Sequence, residues 1–148
     1  RQAKSDMEQF MLAFDSNLAP IVGQQVTLVP GRQSVVGPRI DLLVARAHAG
    51  ECDLVAKGRI AQAEEGFLYV GSGGFKSDRA SRPLVTEAAL RQWVLASAGA
   101  LTYTCVPPGS GQRLGLDRDL DGHLDGDERE AGSDPANPHS TPLTRQGR

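Results

Sequence analysis

The chain has 148 residues, 39% of them hydrophobic, and a formal charge of −2. That is long enough for one domain with a real core and short for two full ones. Residues 117 to 130 carry a net −5, leaving +3 spread thinly over the rest with no basic run; this excludes a nucleic-acid footprint, and no apolar stretch approaches a membrane span.

The opening residues, RQAKSDMEQF, lack the form of a signal peptide, so the chain reads as a mature or partial form. Residues 5 to 18 predict an amphipathic helix. Ser5 and Glu8 make a capping box, and Met7, Phe10, Met11, Phe14 and Leu18 share one face, as in core packing. Pro20 and Gly23 end it. Gln25 to Val29 predicts a short strand or extended arm, and Pro30-Gly31 a turn. Gly37-Pro38 opens a second predicted helix, with proline in the first turn. Ile40, Leu43, Val44 and Ala47 line one side of it, and Gly50 stops it. His48 in the last turn is placed to meet helix carbonyls or solvent.

Cys52 to Gln62 alternates as a strand, with Leu54, Ala56 and Ile60 on one face. Glu65-Gly66 predicts a hairpin turn and Phe67 to Val70 its return strand. Gly71-Ser72-Gly73-Gly74 is a loop without the lysine and spacing of a phosphate-binding loop. Thr86 caps a third predicted helix, which buries Leu90, Trp93 and Val94 and ends at Gly99. Leu101 to Cys105 predicts another strand, and Pro107-Pro108-Gly109 stops regular structure. The fold class is therefore α+β: three helices packed on a small antiparallel sheet, followed by a calcium-binding loop and a flexible tail. The expected boundaries are 1–113 for the core, 114–134 for the loop and 135–148 for a Pro/Ser/Thr-rich tail.

The two cysteines form no CxxC or CxxCH, so neither a zinc knuckle nor a covalently attached haem is indicated. Both stand at ends of predicted core strands. If those strands are neighbours the thiols meet, and a Cys52–Cys105 disulfide is expected; two buried free thiols are the alternative.

Asp117 to Glu128 reads DRDLDGHLDGDE. Acids stand at loop positions 1, 3, 5 and 9 (Asp117, Asp119, Asp121, Asp125), a glycine at 6 (Gly122) and an acid at 12 (Glu128). This is the ligand spacing of an EF-hand calcium loop, in which His123 at position 7 offers its backbone carbonyl. Six acids in twelve residues repel one another unless a cation sits among them. An acidic turn without an ion is the alternative. Val106 to Gly111 is too rich in proline and glycine to form an entering helix, and Asp127 to Ala131 allows an exiting helix of a turn or so. With no second EF-hand to pair with, the loop reads as a calcium staple and not as a sensor whose helices swing apart.

DRDLDGHLDGDEREAGSDPANP, Asp117 to Pro138, resembles the calcium loops of thrombospondin type 3-like repeats and dockerin-type segments in secreted bacterial proteins. The resemblance implies an extracellular or cell-surface setting, with the periplasm also open, and calcium ligands at Asp117, Asp119, Asp121, Asp125 and Glu128. A tandem array is not implied, since one copy is present. MEQFMLAFDSNLAPIVGQQVT, Met7 to Thr27, is similar to the C-terminal parts of large secreted bacterial proteins with haem or β-propeller domains upstream. That implies a terminal non-catalytic module; no haem role carries over.

The expected function is a secreted, calcium-stabilised structural or interaction module without chemistry of its own. A module that assembles with copies of itself or with a larger cell-surface protein, through Gln25 to Val29 or the tail, is a second reading. A small calcium-dependent hydrolase is a third; its parts would be Ser72, Ser110, His48 and His123, none of them in a nucleophile motif, with Cys52 beside His48 as another pairing. A pocket holding His48 and a serine would favour that third reading.

Overall fold

The computed structural model describes residues 17–142. Its elements are β1 (Gln25–Leu28), α1 (Gln33–His48), β2 (Asp53–Ile60), β3 (Ala63–Tyr69), β4 (Gly74–Ser77), β5 (Val85–Thr86), α2 (Glu87–Ala96), β6 (Ala100–Val106), α3 (Gly111–Gly115) and α4 (Asp125–Ala131). The fold is α+β, with a six-stranded antiparallel sheet in the order β1-β6-β2-β3-β4-β5 and four helices among the described residues. The count of three helices is thereby corrected. The expected helix at 5–18 falls on residues outside the described range except for Asn17 and Leu18, which are not helical.

The sheet is buried on both sides. On one face Leu28, Leu54, Ala56, Phe67, Leu101 and Tyr103 pack against Ile40 and Leu43 of α1 and Leu90 and Val94 of α2. Alternation along β2 sends Val55 and Lys57 to the other face, where α3 and the loop behind it lie. Gly66 makes that layer possible. A Cβ on it would stand 2.2 Å from the Gly115 carbonyl oxygen. The obstacle is backbone and cannot rotate away. Gly66→Ala is expected to cost roughly 2–3 kcal/mol, as overpacking does; urea unfolding of the variant checks it.

That role explains a misplaced turn. The β2–β3 hairpin turns at Ala61 and Gln62, not at Glu65-Gly66, and both turn residues have positive φ, 50° and 70°. Positive φ at two central residues is the geometry that matches strand twist, and it normally recruits Asn-Gly. Here Ala-Gln carries no such signal, while the glycine in the segment serves close packing inside β3. The strands β4 and β5 were also not expected; they are short and flank a polar stretch.

The second helix starts a turn earlier than Gly37-Pro38 suggests. Pro38 stands inside α1 and leaves the Ser34 carbonyl without its usual partner along the helix. Gly37 before it has no Cβ to meet the proline ring, which eases the usual conflict, and Pro38 itself is exposed. Thr86 caps α2 as expected, its Oγ1 accepting from the Ala89 N–H at 3.2 Å. Residues 25–28 form an edge strand as expected, with Thr27 and Thr102 bonded across the ladder at 2.8 Å.

Strands β2 and β6 are neighbours, and a disulfide joins Cys52 to Cys105 with their Cα atoms 5.4 Å apart. No helix among the described residues is long and apolar enough to cross a membrane. Beyond α4, residues 134 to 140 take local turns, including an Asp134 N–H donated to Ser140 Oγ at 3.0 Å. Residues 143 to 148 lie outside the described range.

Candidate metal centre

The segment before the loop does hold a helical turn. Residues 107 to 110 are irregular, but Gly111–Gly115 forms α3, directly before Leu116 and Asp117. The expectation that Val106 to Gly111 excludes an entering helix is corrected at its last residue. Two N–H groups of this glycine-rich turn, from Gly109 and Gly111, are donated to Asp53 Oδ2 at 2.9 and 2.8 Å. Asp53 thus supplies acceptors that the sequence pattern does not announce, and it fixes the approach to the loop at the start of β2.

Leu116, fully buried under the sheet, anchors the loop base, and its carbonyl accepts from the Asp125 N–H at 2.8 Å. The chain then winds tightly. Leu120 and Gly122 both have positive φ, 62° and 96°, the second as the glycine at position 6 requires. Asp117 braces this winding by accepting from the N–H groups of Leu120 and Gly122 at 2.7 and 3.2 Å. Asp119 Oδ1 accepts from Asp121 N–H, and Asp121 Oδ1 from His123 N–H.

These turns bring three carboxylates together. Asp117, Asp119 and Asp121 each offer an oxygen, and the three oxygens lie within 4.8 Å of one another. Two oxygens bound to one calcium ion at about 2.4 Å can stand at most about 4.8 Å apart, so the cluster fits such an ion. The oxygens left over point the same way chemically. Asp119 Oδ2, Asp121 Oδ2 and Glu128 Oε2 are buried and accept no hydrogen bond from the chain. Glu128 is fully buried, and Ser133 Oγ donates to its Oε1 at 3.3 Å. Burial raises the Glu128 pKa, Ser133 lowers it, and the neighbouring Asp121, Asp119 and Asp125 raise it further. A buried acid facing other acids with an unsatisfied oxygen is a poor arrangement until a cation joins it.

Asp125 is placed differently. It is fully buried, and both oxygens are engaged: Oδ1 accepts from Arg118 N–H at 2.7 Å, and Oδ2 meets Lys57 Nζ at 3.4 Å and Arg129 at 3.9 Å. It stands outside the three-aspartate cluster, as Glu128 does, and for Asp125 this is in keeping with a position that EF-hand loops often fill through water. His123 is exposed, so its ring is free of the cluster.

The exiting helix is longer than a turn, Asp125–Ala131, and closes at Gly132 with φ 81°. It is stitched to the end of β4. Gly126 N–H is donated to the Asp78 carbonyl at 2.9 Å, Ala80 N–H to Asp127 Oδ2 at 2.9 Å, and Arg79 pairs with Glu130 at 2.8 Å. Arg129 reaches the buried Asp78 carboxylate. Burial pushes the Asp78 pKa from 3.8 up to about 6, and Arg129 opposes the shift without cancelling it. The folded protein therefore keeps this proton where the unfolded chain has lost it. Stability from Asp78 is highest below the unfolded value, falls as pH rises to about 6, and is flat above. Compared with Asp78→Asn, the unchanged protein is expected to lose roughly 2–3 kcal/mol of unfolding free energy across that window; denaturant titrations at both ends of it measure this.

Of the residues considered for hydrolysis, the structure brings together His48 and Ser72, the pairing that the hydrolase reading asks for. His48 and Ser72 line one cavity of about 370 Å³, with Asp53 and Tyr69, while Ser110 and His123 lie outside it. His48 Nδ1 is 3.2 Å from the Tyr69 hydroxyl, which also accepts from Gly73 N–H at 3.4 Å. Asp53 is turned to Gly109 and Gly111, and so does not orient the imidazole. Cys52 is held in the disulfide and offers no thiol.

The chain matches no protein-family model, and no curated protein and no solved structure matches it.

Proposed function

We propose that Asp117 to Glu128 holds one calcium ion and that the chain is a secreted or cell-surface module without catalytic chemistry, stabilised by that ion and by its disulfide. The observation that carries this reading is the convergence of three aspartates on one point beside a fully buried Glu128 with an unsatisfied oxygen. Asp117, Asp119, Asp121 and Glu128 would hold the ion directly, the His123 carbonyl would add a ligand, and Asp125 would act through water. The thrombospondin type 3-like spacing and the disulfide favour an oxidising, calcium-rich setting over the cytosol.

The ion would supply charge neutralisation and stiffness, not a reaction. It would tie α3, the loop and α4 into one lid over the second face of the sheet, so its binding free energy would become folding free energy. Extracellular calcium modules work at a Kd of about 10⁻⁴ to 10⁻³ M. At tenfold excess over Kd, binding contributes about 1.4 kcal/mol, or a rise of a few degrees in Tm. Thermal melting during a calcium titration, with magnesium as control, tests the reading. A rise with calcium and none with magnesium is expected; an unchanged melt at millimolar calcium would count against it.

A further inference from the structure

The chain sends its own cations to one acid of the loop and leaves the others uncompensated. Asp125 Oδ2 meets Lys57 Nζ at 3.4 Å and Arg129 Nη1 at 3.9 Å. Among the described residues, no lysine or arginine pairs with Asp117, Asp119, Asp121 or Glu128. Arg129 is shared, since it also reaches Asp78. Lys57 has no other acid partner among the described residues. It comes from β2, and its stem passes over Gly66 on the neighbouring strand: a Cβ on Gly66 would stand 3.1 Å from Lys57 Cε. The sheet thereby delivers an ammonium to a carboxylate that is fully buried.

A buried carboxylate needs a counter-charge, and Lys57 supplies one whether or not an ion is present. Asp125 is within electrostatic reach of Glu128, since it helps to raise the Glu128 pKa. A cation fixed on Asp125 therefore relieves the crowded acids of the calcium-free loop and opposes an incoming cation. It also holds an oxygen through which position 9 would reach the ion by water. We propose that Lys57 is a tethered counter-ion of the loop, a positioning residue that acts through Asp125 to support the calcium-free fold and to set the calcium affinity low. This rests on the calcium reading above, and the test separates the two.

Calcium is titrated into the full chain by calorimetry, and thermal melts are run in chelator and in calcium. Lys57→Met and Lys57→Gln are each expected to bind calcium roughly three- to tenfold more tightly, as loss of one nearby positive charge predicts. Both should melt lower in chelator, because Asp125 loses a partner. The rise in Tm with calcium should therefore be larger in both than in the unchanged chain, whereas a purely packing role would lower the two melts alike. Arg59→Gln is the control. Arg59 is exposed on the same face of β2 and donates to the Gln62 carbonyl, so its loss should leave the Kd within about twofold. The proposal alone is overturned if the unchanged chain binds calcium and the Lys57 variants bind it no more tightly, or if Arg59→Gln tightens binding as much as they do. If neither the unchanged chain nor any variant binds calcium, the calcium reading falls and this proposal with it.

Discussion

Alanine at Asp121 is expected to erase the calcium-dependent rise in Tm while leaving the calcium-free protein nearly as stable as before. The two halves of this result have separate causes. Without calcium, the Asp121 carboxylate does little for the fold: it accepts one bond, from the His123 N–H at 2.8 Å, and its other oxygen is buried and unmatched. Losing that bond costs about 1 kcal/mol. Removing one of several mutually repelling acids offsets part of the cost, since Asp121 also raises the pKa of Glu128. With calcium present, the same change removes one of three converging carboxylates and should lower affinity far enough that millimolar calcium no longer acts. Calorimetric melts of both proteins, each with chelator and with calcium, decide the matter. A mutant that still gains stability from calcium would show that the ion sits elsewhere. A mutant that unfolds in chelator would show that Asp121 serves the fold itself.

The loop was legible because its chemistry demands fixed residue types at fixed spacing. Gly122 at position 6 and the acids at positions 1, 3 and 5 stand together in the structure as the spacing requires. Burial was less legible. Nothing local in the sequence says that Glu128 is fully enclosed, or that Ser133 folds back to bond both its carbonyl and its carboxylate. Asp125 shows the same limit: its partner Lys57 is 68 residues away in β2.

The sheet divides along similar lines. The face made by Leu54, Ala56 and Ile60 followed from alternation, whereas the neighbourhood of β2 and β6 that lets the cysteines join was a condition that alternation does not set. The turn at Ala61 and Gln62 did not, because neither residue carries a local preference for positive φ. Gly66 misled for the opposite reason. Its lack of a side chain answers the Gly115 carbonyl across the layer, a constraint set by tertiary packing. The entering turn α3 was hidden by glycines that break helices in isolation but here admit Leu68 and Asp53 at close range.

Loss of the disulfide is expected to be the larger of the two stability effects. The bond spans 53 residues of sequence, and on the chain-entropy model closing such a loop is worth about 4 kcal/mol. For a domain of this size, that corresponds to a fall in Tm on the order of 15 °C in a Cys52→Ala/Cys105→Ala protein or after reduction. The ladder between β2 and β6 runs from Asp53 to Arg59 and survives without the cross-link, so the native sheet should persist below the new melting point. The calcium response should persist too. Asp53, next to Cys52, still receives the N–H groups of Gly109 and Gly111, which set the entrance of the loop, and no metal-cluster residue bonds to either cysteine. Distant sites without shared partners act additively. The increment in Tm from calcium should therefore be nearly the same with and without the disulfide, on a baseline lowered by the cross-link alone. A calcium increment that vanished on reduction would mean that the disulfide, through β2 and Asp53, positions the metal loop itself.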